Sequence, residues 1–131
     1  MAYNPNDLRV AGTAHPQPLR ASAEAIRPGT FAAGSGTLAP LTAVAFNSST
    51  NKWGVWATGG SNDTATIRGF VWPDPVVLDS DEEVLGQIMV KGRLHIDDVP
   101  AVGGTADQIK TALRATALAR GFIIDGLTQA H

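Results

Sequence analysis

Between residues 87 and 96, apolar and polar side chains alternate almost without interruption. The apolar series is Ile88, Val90, Leu94 and Ile96, and the polar series is Gln87, Lys91, Arg93 and His95. Because successive side chains of a strand point to opposite faces, this pattern predicts a half-buried β-strand with one apolar face. Met89 and Gly92 interrupt the alternation, and a glycine inside a strand is typical of a bulge or a close backbone approach.

Shorter runs of β-forming residues precede this strand. Residues 41–46 and 52–57 are joined by a small polar loop, which predicts a hairpin. Residues 64–72 predict a third strand, and residues 76–78 form a short apolar piece at an edge or in a crossing segment. Together these runs predict a mainly β (α+β) fold, a small β-sheet or barrel-like domain.

One helix is predicted at residues 105–120. Thr105 and Gln108 have the spacing of a capping box, in which each side chain accepts a hydrogen bond from the other residue's backbone. Ile109 and Leu113 form an apolar stripe, and Gly121 is a natural stop.

Residues 1–35 differ from the remainder of the chain. Residues 1–40 hold five prolines and four glycines, and proline removes a backbone donor and favours extended structure. We therefore predict an extended arm at 1–35, with a short helical turn at 21–26, and a β-rich domain at 36–131. Three alternatives stay open: an arm that orders on a partner, a disordered leader, or a strand of the main sheet.

Composition narrows the classes of function. The chain has 131 residues, 44% of them hydrophobic, and a net charge of -2, which is ordinary for one soluble domain and does not favour nucleic-acid binding. There is no cysteine, so neither disulfides nor thiolate metal ligands are available. We expect no signal peptide, because the first seven residues lack a basic start and an apolar core, and no membrane span.

Candidate catalytic and metal-binding groups are sparse. The acidic residues Asp79, Asp81, Glu82 and Glu83 lack the order of a calcium loop, and a solvated turn is the simpler interpretation. His95 lies near Asp97 and Asp98, but no second histidine has ligand spacing. No serine nucleophile motif occurs. We therefore expect no enzyme activity, no cofactor and no metal.

Tryptophans are the other distinctive feature. Trp53 and Trp56 are three positions apart, so on a strand they face opposite sides. One can fill the core, whereas the other needs a cover, either a neighbouring subunit or partner, or a loop or the arm. We treat Trp53, Trp56 and Trp72 as candidates for a subunit interface.

The order of several motifs resembles a known family. Residues 36–39 (GTLA), a hairpin, residues 65–71 (ATIRGFV), an acidic turn and residues 88–94 (IMVKGRL) are similar to the lambda-type head decoration proteins of tailed bacteriophages. In that family a proline- and alanine-rich arm precedes a "G-T-(I/L)-L-A"-like opening.

The resemblance implies a structural protein of the virion. It implies homotrimers on the outer surface of an expanded shell of the HK97 type, made in the host cytoplasm and bound to the major capsid protein through the arm. The predicted arm contacts are Leu8, Arg9, Val10, Arg20, Ile26 and Arg27. The alternatives are another virion or tail component, a small β-barrel module that binds a sugar or peptide, and an enzyme.

Overall fold

The computed structural model describes residues 20–60, 65–117 and 120–127. Its strands are β1 (Ala21–Phe31), β2 (Thr37–Leu38), β3 (Ala43–Asn47), β4 (Lys52–Val55), β5 (Gly69–Val71), β6 (Val76–Val77), β7 (Val84–His95) and β8 (Ile123–Asp125). One α-helix, α1 (Ala106–Ala112), runs on into a π-helical turn at Leu113–Ala117. The predicted mainly β fold with one helix is confirmed.

The larger sheet closes on itself. Its order is β1-β4-β3-β5-β7-β8, and β1 also pairs with β7, so that five strands form a closed circuit. The pairings of β1 with β4 and of β7 with β8 are parallel, and the others are antiparallel. β2 and β6 form a separate two-stranded sheet. Closure leaves few unpaired strand edges, which favours the stability of a small domain.

The predicted hairpin is present as β3 and β4, which pair from Val44 with Val55 to Asn47 with Lys52. Residue 64 of the predicted third strand lies outside the described residues, and of residues 65–72 only Gly69–Val71 joins the ladder. The chain before it is held differently: the carbonyl of Ala65 accepts a hydrogen bond from the indole nitrogen of Trp56 at 2.9 Å.

Residues 21–31 belong to the sheet. β1 pairs with β7 from Ala21 opposite Leu94 to Phe31 opposite Val84. The predicted helical turn at 21–26 is therefore wrong, because these residues are part of β1, which lies within the predicted arm at 1–35. Of the three alternatives, a strand of the main sheet describes this segment. Small alanines at every second position let the two backbones pair closely.

A bulge changes the faces of β7. Ile88 and Leu94 are six positions apart, so regular alternation would place them on one side, yet they lie in different apolar clusters. The β1–β7 register shifts between Ala23 and Ile26, and an extra residue in a ladder reverses the alternation beyond it. The prediction that one face of the strand is apolar along its whole length is therefore wrong. Gly92 is the close approach: a Cβ there would lie 2.6 Å from the carbonyl oxygen of Ser22.

Two apolar clusters cover the two faces of the sheet. The helix-side cluster is Leu41, Ala43, Ala45, Trp56, Ile67, Phe70, Met89, Leu94, Ile96, Ile109, Leu113, Phe122, Ile124 and Leu127. The strand-side cluster is Phe31, Leu38, Val44, Val71, Val76 and Ile88. Neighbouring residues of β3, β5 and β7 contribute to opposite clusters, so the centre of the sheet is buried on both faces.

The predicted capping box at the start of α1 is confirmed. The Thr105 hydroxyl accepts from the backbone of Gln108 at 3.2 Å, and the Gln108 amide oxygen accepts from the backbone of Thr105 at 2.9 Å. Ile109 and Leu113 are buried in the helix-side cluster, as their spacing predicts.

Candidate binding surfaces

Some of the predicted arm contacts lie within the described residues and others lie outside them. Leu8, Arg9 and Val10 lie outside the described residues. Ile26 and Arg27 are exposed on β1, with 43% of Ile26 accessible. Both side chains are therefore accessible on this surface of the isolated chain, and their contact with a shell stays a prediction.

Arg20 is held within the chain. Its backbone nitrogen and its Nε donate to Oδ2 of Asp98 at 2.9 and 3.2 Å, and Nη2 donates to Oδ1 at 3.2 Å. These hydrogen bonds from Arg20 lower the pKa of the Asp98 carboxyl below its ordinary value. A guanidinium that donates to both oxygens of a carboxylate is held in one orientation. The Arg20–Asp98 pair therefore fixes the point at which the chain enters β1.

Trp56 is a core residue. Only 2% of it is exposed, and its indole N–H is satisfied by the Ala65 carbonyl. Of the three candidates for a subunit interface, this one is buried inside its own chain. Trp53 packs against the strand-side cluster, so the prediction that the first two tryptophans face opposite sides is confirmed.

Trp53 and Trp72 remain half-buried at the surface. Trp53 meets Phe46 edge to face, with 5.4 Å between ring centroids and 62° between the planes. Gly29 lies beneath it, where a Cβ would approach the indole to 2.7 Å. Trp72 packs against the helix-side cluster and precedes a cis peptide bond to Pro73.

An open groove of about 370 Å³ lies beside Trp53. We call it the arginine groove, and its walls are Phe46, Trp53, Arg68, Val90 and Arg120. Nε of Arg68 is buried and has no hydrogen-bond partner among residues 20–60, 65–117 and 120–127. Neither Arg68 nor Arg120 takes part in an ion pair within the described ranges. The groove therefore presents two positive charges beside two aromatic rings.

Sequence reasoning missed this groove. Arg68 and Arg120 are far apart in the chain, and only the fold brings them together. One signal was available, because Arg68 interrupts an apolar run between Ile67 and Gly69. A charged residue inside such a run is expensive to bury and therefore indicates a nearby partner or an opening to solvent.

A second hollow of about 230 Å³ is lined by Arg20, Ala21, Ser22, Arg93 and Asp125. Nε and Nη2 of Arg93 donate to the two oxygens of Asp125 at 2.7 and 2.9 Å. The Arg93 guanidinium lowers the pKa of the Asp125 carboxyl. Both arginines of this hollow are thus neutralised by carboxylates of the same chain, in contrast to those of the arginine groove.

The acidic turn and His95 have local roles. Oδ1 of Asp79 accepts from the Asp81 backbone at 2.8 Å, and Glu83 forms an ion pair with Lys52. Nδ1 of His95 accepts from the Asp97 backbone at 3.1 Å and so caps a short 3-10 turn. In the part of the chain that the structure covers, no three His, Asp or Glu side chains lie close enough to hold a metal ion.

None of the helices among the described residues has the length and apolarity to cross a bilayer. No known family model and no curated protein matches this sequence. The fold and its surfaces define a small, mainly β protein whose first long strand is fixed by an ion pair and whose surface carries an arginine groove.

Proposed function

We propose that this protein is a structural component of a phage virion. It binds the outer surface of an expanded HK97-type shell through the major capsid protein, and it holds neighbouring capsomers together against the pressure of the packaged DNA. The proposal rests on the motif order that resembles the lambda-type head decoration proteins, at residues 36–39, 65–71 and 88–94.

The structural observation that carries the proposal is the entry of the chain into the sheet. Arg20 is bound to Asp98, and β1 follows at once and pairs with β7 along its whole length. Residues 1–19 are therefore joined to the body at a fixed point. A segment tethered in this way can add its own contacts to a shell while the body keeps its fold.

Copy number supports the same role. Many identical molecules on one shell act together, so modest contacts per copy are sufficient. A homotrimer adds further contacts between copies, and the half-buried Trp53 and Trp72 are the aromatic side chains that a partner copy can cover. Ile26 and Arg27 extend the exposed surface along β1.

Co-sedimentation with compact and expanded shells tests the proposal. We expect saturable binding to expanded shells alone. Binding to neither form, at protein concentrations far above those of the shell sites, contradicts the capsid role.

A truncation that removes residues 1–19 locates the contact. It leaves Arg20 and β1 in place, whereas a deletion to residue 35 would remove a strand of the sheet. We expect the truncated protein to unfold at the same temperature and to lose shell binding. A full-length L8S/V10S variant is the matched control, because it changes only the apolar character of the segment; unchanged binding by both variants contradicts an arm contact.

A small ligand-binding module is the second candidate. The arginine groove favours it, because a concave site with aromatic walls and a few charged groups is typical of ligand pockets.

A further inference from the structure

The buried Nε of Arg68 has no hydrogen-bond acceptor among the described residues. This nitrogen is shielded from solvent. A buried donor without a partner costs free energy, because the hydrogen bond that it made to water in the unfolded chain is lost. An acceptor that reaches Nε after the shielding side chain moves would remove that cost, which favours an anion in the groove.

The charge of the groove points the same way. Arg120 lines it together with Arg68, and the described ion pairs include neither residue. Elsewhere on the surface, Arg20, Arg93 and Lys52 each have a carboxylate partner. Because Arg68 and Arg120 have no carboxylate partner among the described residues, a bound anion gains charged hydrogen bonds here that it would not gain at Arg20 or Arg93.

The walls define the remainder of the ligand. Phe46 and Trp53 present aromatic surface, and Val90 adds an aliphatic patch. A volume of about 370 Å³ admits a molecule of one or two fused rings. The guanidinium group is planar and matches a carboxylate through two parallel hydrogen bonds, whereas a phosphate gains no advantage from a flat apolar pocket.

We propose that the arginine groove is a binding site for a small aromatic carboxylate. The carboxylate lies between the guanidinium groups of Arg68 and Arg120, and the ring lies against Trp53. The site belongs to the single chain and does not depend on the capsid role.

The test is a titration of the free, full-length 15N-labelled protein at pH 7 with naphthalene-2-carboxylate. The Nε–H signal of Arg68 and the indole signal of Trp53 are followed by NMR. We expect both signals to shift with one saturation curve. The neutral naphthalene-2-carboxamide, which has the same ring, should bind roughly tenfold more weakly or worse, because it cannot form the charge-assisted hydrogen bonds. Equal binding of acid and amide overturns the proposal, as does no shift at either signal.

Two further probes separate the sources of the effect. Inorganic phosphate tests charge alone, and binding as tight as that of the carboxylate would overturn the role of the aromatic walls. Dilution of the unliganded protein tests a second copy as the occupant. If the Arg68 signal shifts with protein concentration, the groove is an interface between copies and the proposal fails.

Variants assign the residues. Arg68→Gln and Arg120→Gln should each weaken carboxylate binding roughly tenfold, because each removes a charged hydrogen-bond donor. Arg27→Gln is the matched control, since Arg27 is exposed on β1 outside the groove, and it should bind normally. Binding by a variant is interpreted only if its thermal midpoint equals that of the original protein. If Arg68→Gln does not fold, Arg120→Gln provides the test, because Arg120 is exposed. Normal binding by Arg120→Gln contradicts the proposed site.

Discussion

Two pairs of arginines in this protein differ in whether a carboxylate of the same chain binds them. Arg20, just before β1, donates hydrogen bonds to both carboxylate oxygens of Asp98. Arg93 on β7 donates in the same way to both carboxylate oxygens of Asp125. In the arginine groove, Arg68 and Arg120 have no such partner within the described part of the chain, where Nε of Arg68 is also buried without a hydrogen bond. A charge satisfied within the chain contributes to the fold, whereas an unsatisfied charge is available to a ligand. The difference teaches where to look for function.

The tryptophans show a similar contrast between a buried and a partly exposed side chain. Trp56 is buried in the helix-side cluster with its N–H bonded, whereas Trp53 forms a wall of the open groove. Trp56 lies in the filled cluster beneath α1, whereas Trp53 lies at the margin of the other cluster, where the groove is open. Four predictions test this comparison, from the largest expected effect to the smallest.

The first prediction concerns the two tryptophans. Trp56→Ala should destabilise the fold by about 3–5 kcal/mol, because it empties a filled core and leaves the Ala65 carbonyl unpaired. Trp53→Ala should cost only about 1–2 kcal/mol, since this ring is already half exposed. Urea unfolding of both variants measures the difference. Equal losses would mean that the groove wall is as tightly packed as the core.

The second prediction concerns two glycines of the paired strands β1 and β7 that differ in what an added Cβ would meet. At Gly92, an added Cβ meets the backbone carbonyl of Ser22 at 2.6 Å, and backbone cannot easily yield. At Gly29 it meets side-chain atoms of Ile88 and Trp53, and the indole can move into the open groove. Gly92→Ala should therefore cost about 2–3 kcal/mol and Gly29→Ala about 1 kcal/mol. Thermal or urea unfolding tests the order, and a larger loss at Gly29 contradicts it.

The third prediction concerns acid pH. The pKa values of Asp98 and Asp125 are lowered in the folded chain by hydrogen bonds from Arg20 and Arg93. A carboxyl with a lowered folded pKa stabilises the fold above its unfolded pKa, near 4, and this contribution is lost as the pH falls through the folded pKa.

Stability should therefore decrease below about pH 4, and Asp98→Asn should flatten this decrease. Urea unfolding between pH 2 and 7 measures the slope. Asp125→Asn is the comparison variant and should have the weaker effect, because its side chain is 43% exposed while that of Asp98 is 10% exposed. An unchanged slope in both variants shows that neither pair contributes.

The smallest expected effect is that of replacing one arginine from each of the two pairs by leucine. Arg68→Leu removes a buried donor that has no partner, so the protein should be unchanged or more stable by up to about 1 kcal/mol. Arg93→Leu removes the partner of Asp125 and should lower stability slightly. The sign of the change in thermal midpoint distinguishes the two. A clear loss for Arg68→Leu means that this side chain stabilises the fold.

Local patterns were sufficient for several elements. The polar loop between two β-forming runs gave the β3–β4 hairpin, and the Thr105 and Gln108 spacing gave the start of α1. These features depend on residues that are close in sequence. The long strand near residues 87–96 was also evident from alternation, although its bulge was not, because a register shift depends on the partner strand.

The site was much less predictable. Trp53 was recognised as an aromatic that needs a cover, but its neighbours Arg68 and Arg120 were not connected to it. The proline and alanine content favoured an arm for the segment that contains β1. Local propensity does not show that this segment pairs with β7, because the pairing depends on residues distant in sequence.

The sequence by itself determined the β-rich character, the hairpin, the capped helix and the absence of thiol chemistry. Only the tertiary structure decided that β1 closes the sheet, that Trp56 is buried while Trp53 lines a groove, and which arginines find a carboxylate. The reason is physical: hairpins and caps are formed by residues a few positions apart, whereas strand closure and charge pairing join residues such as Arg20 and Asp98 across most of the chain.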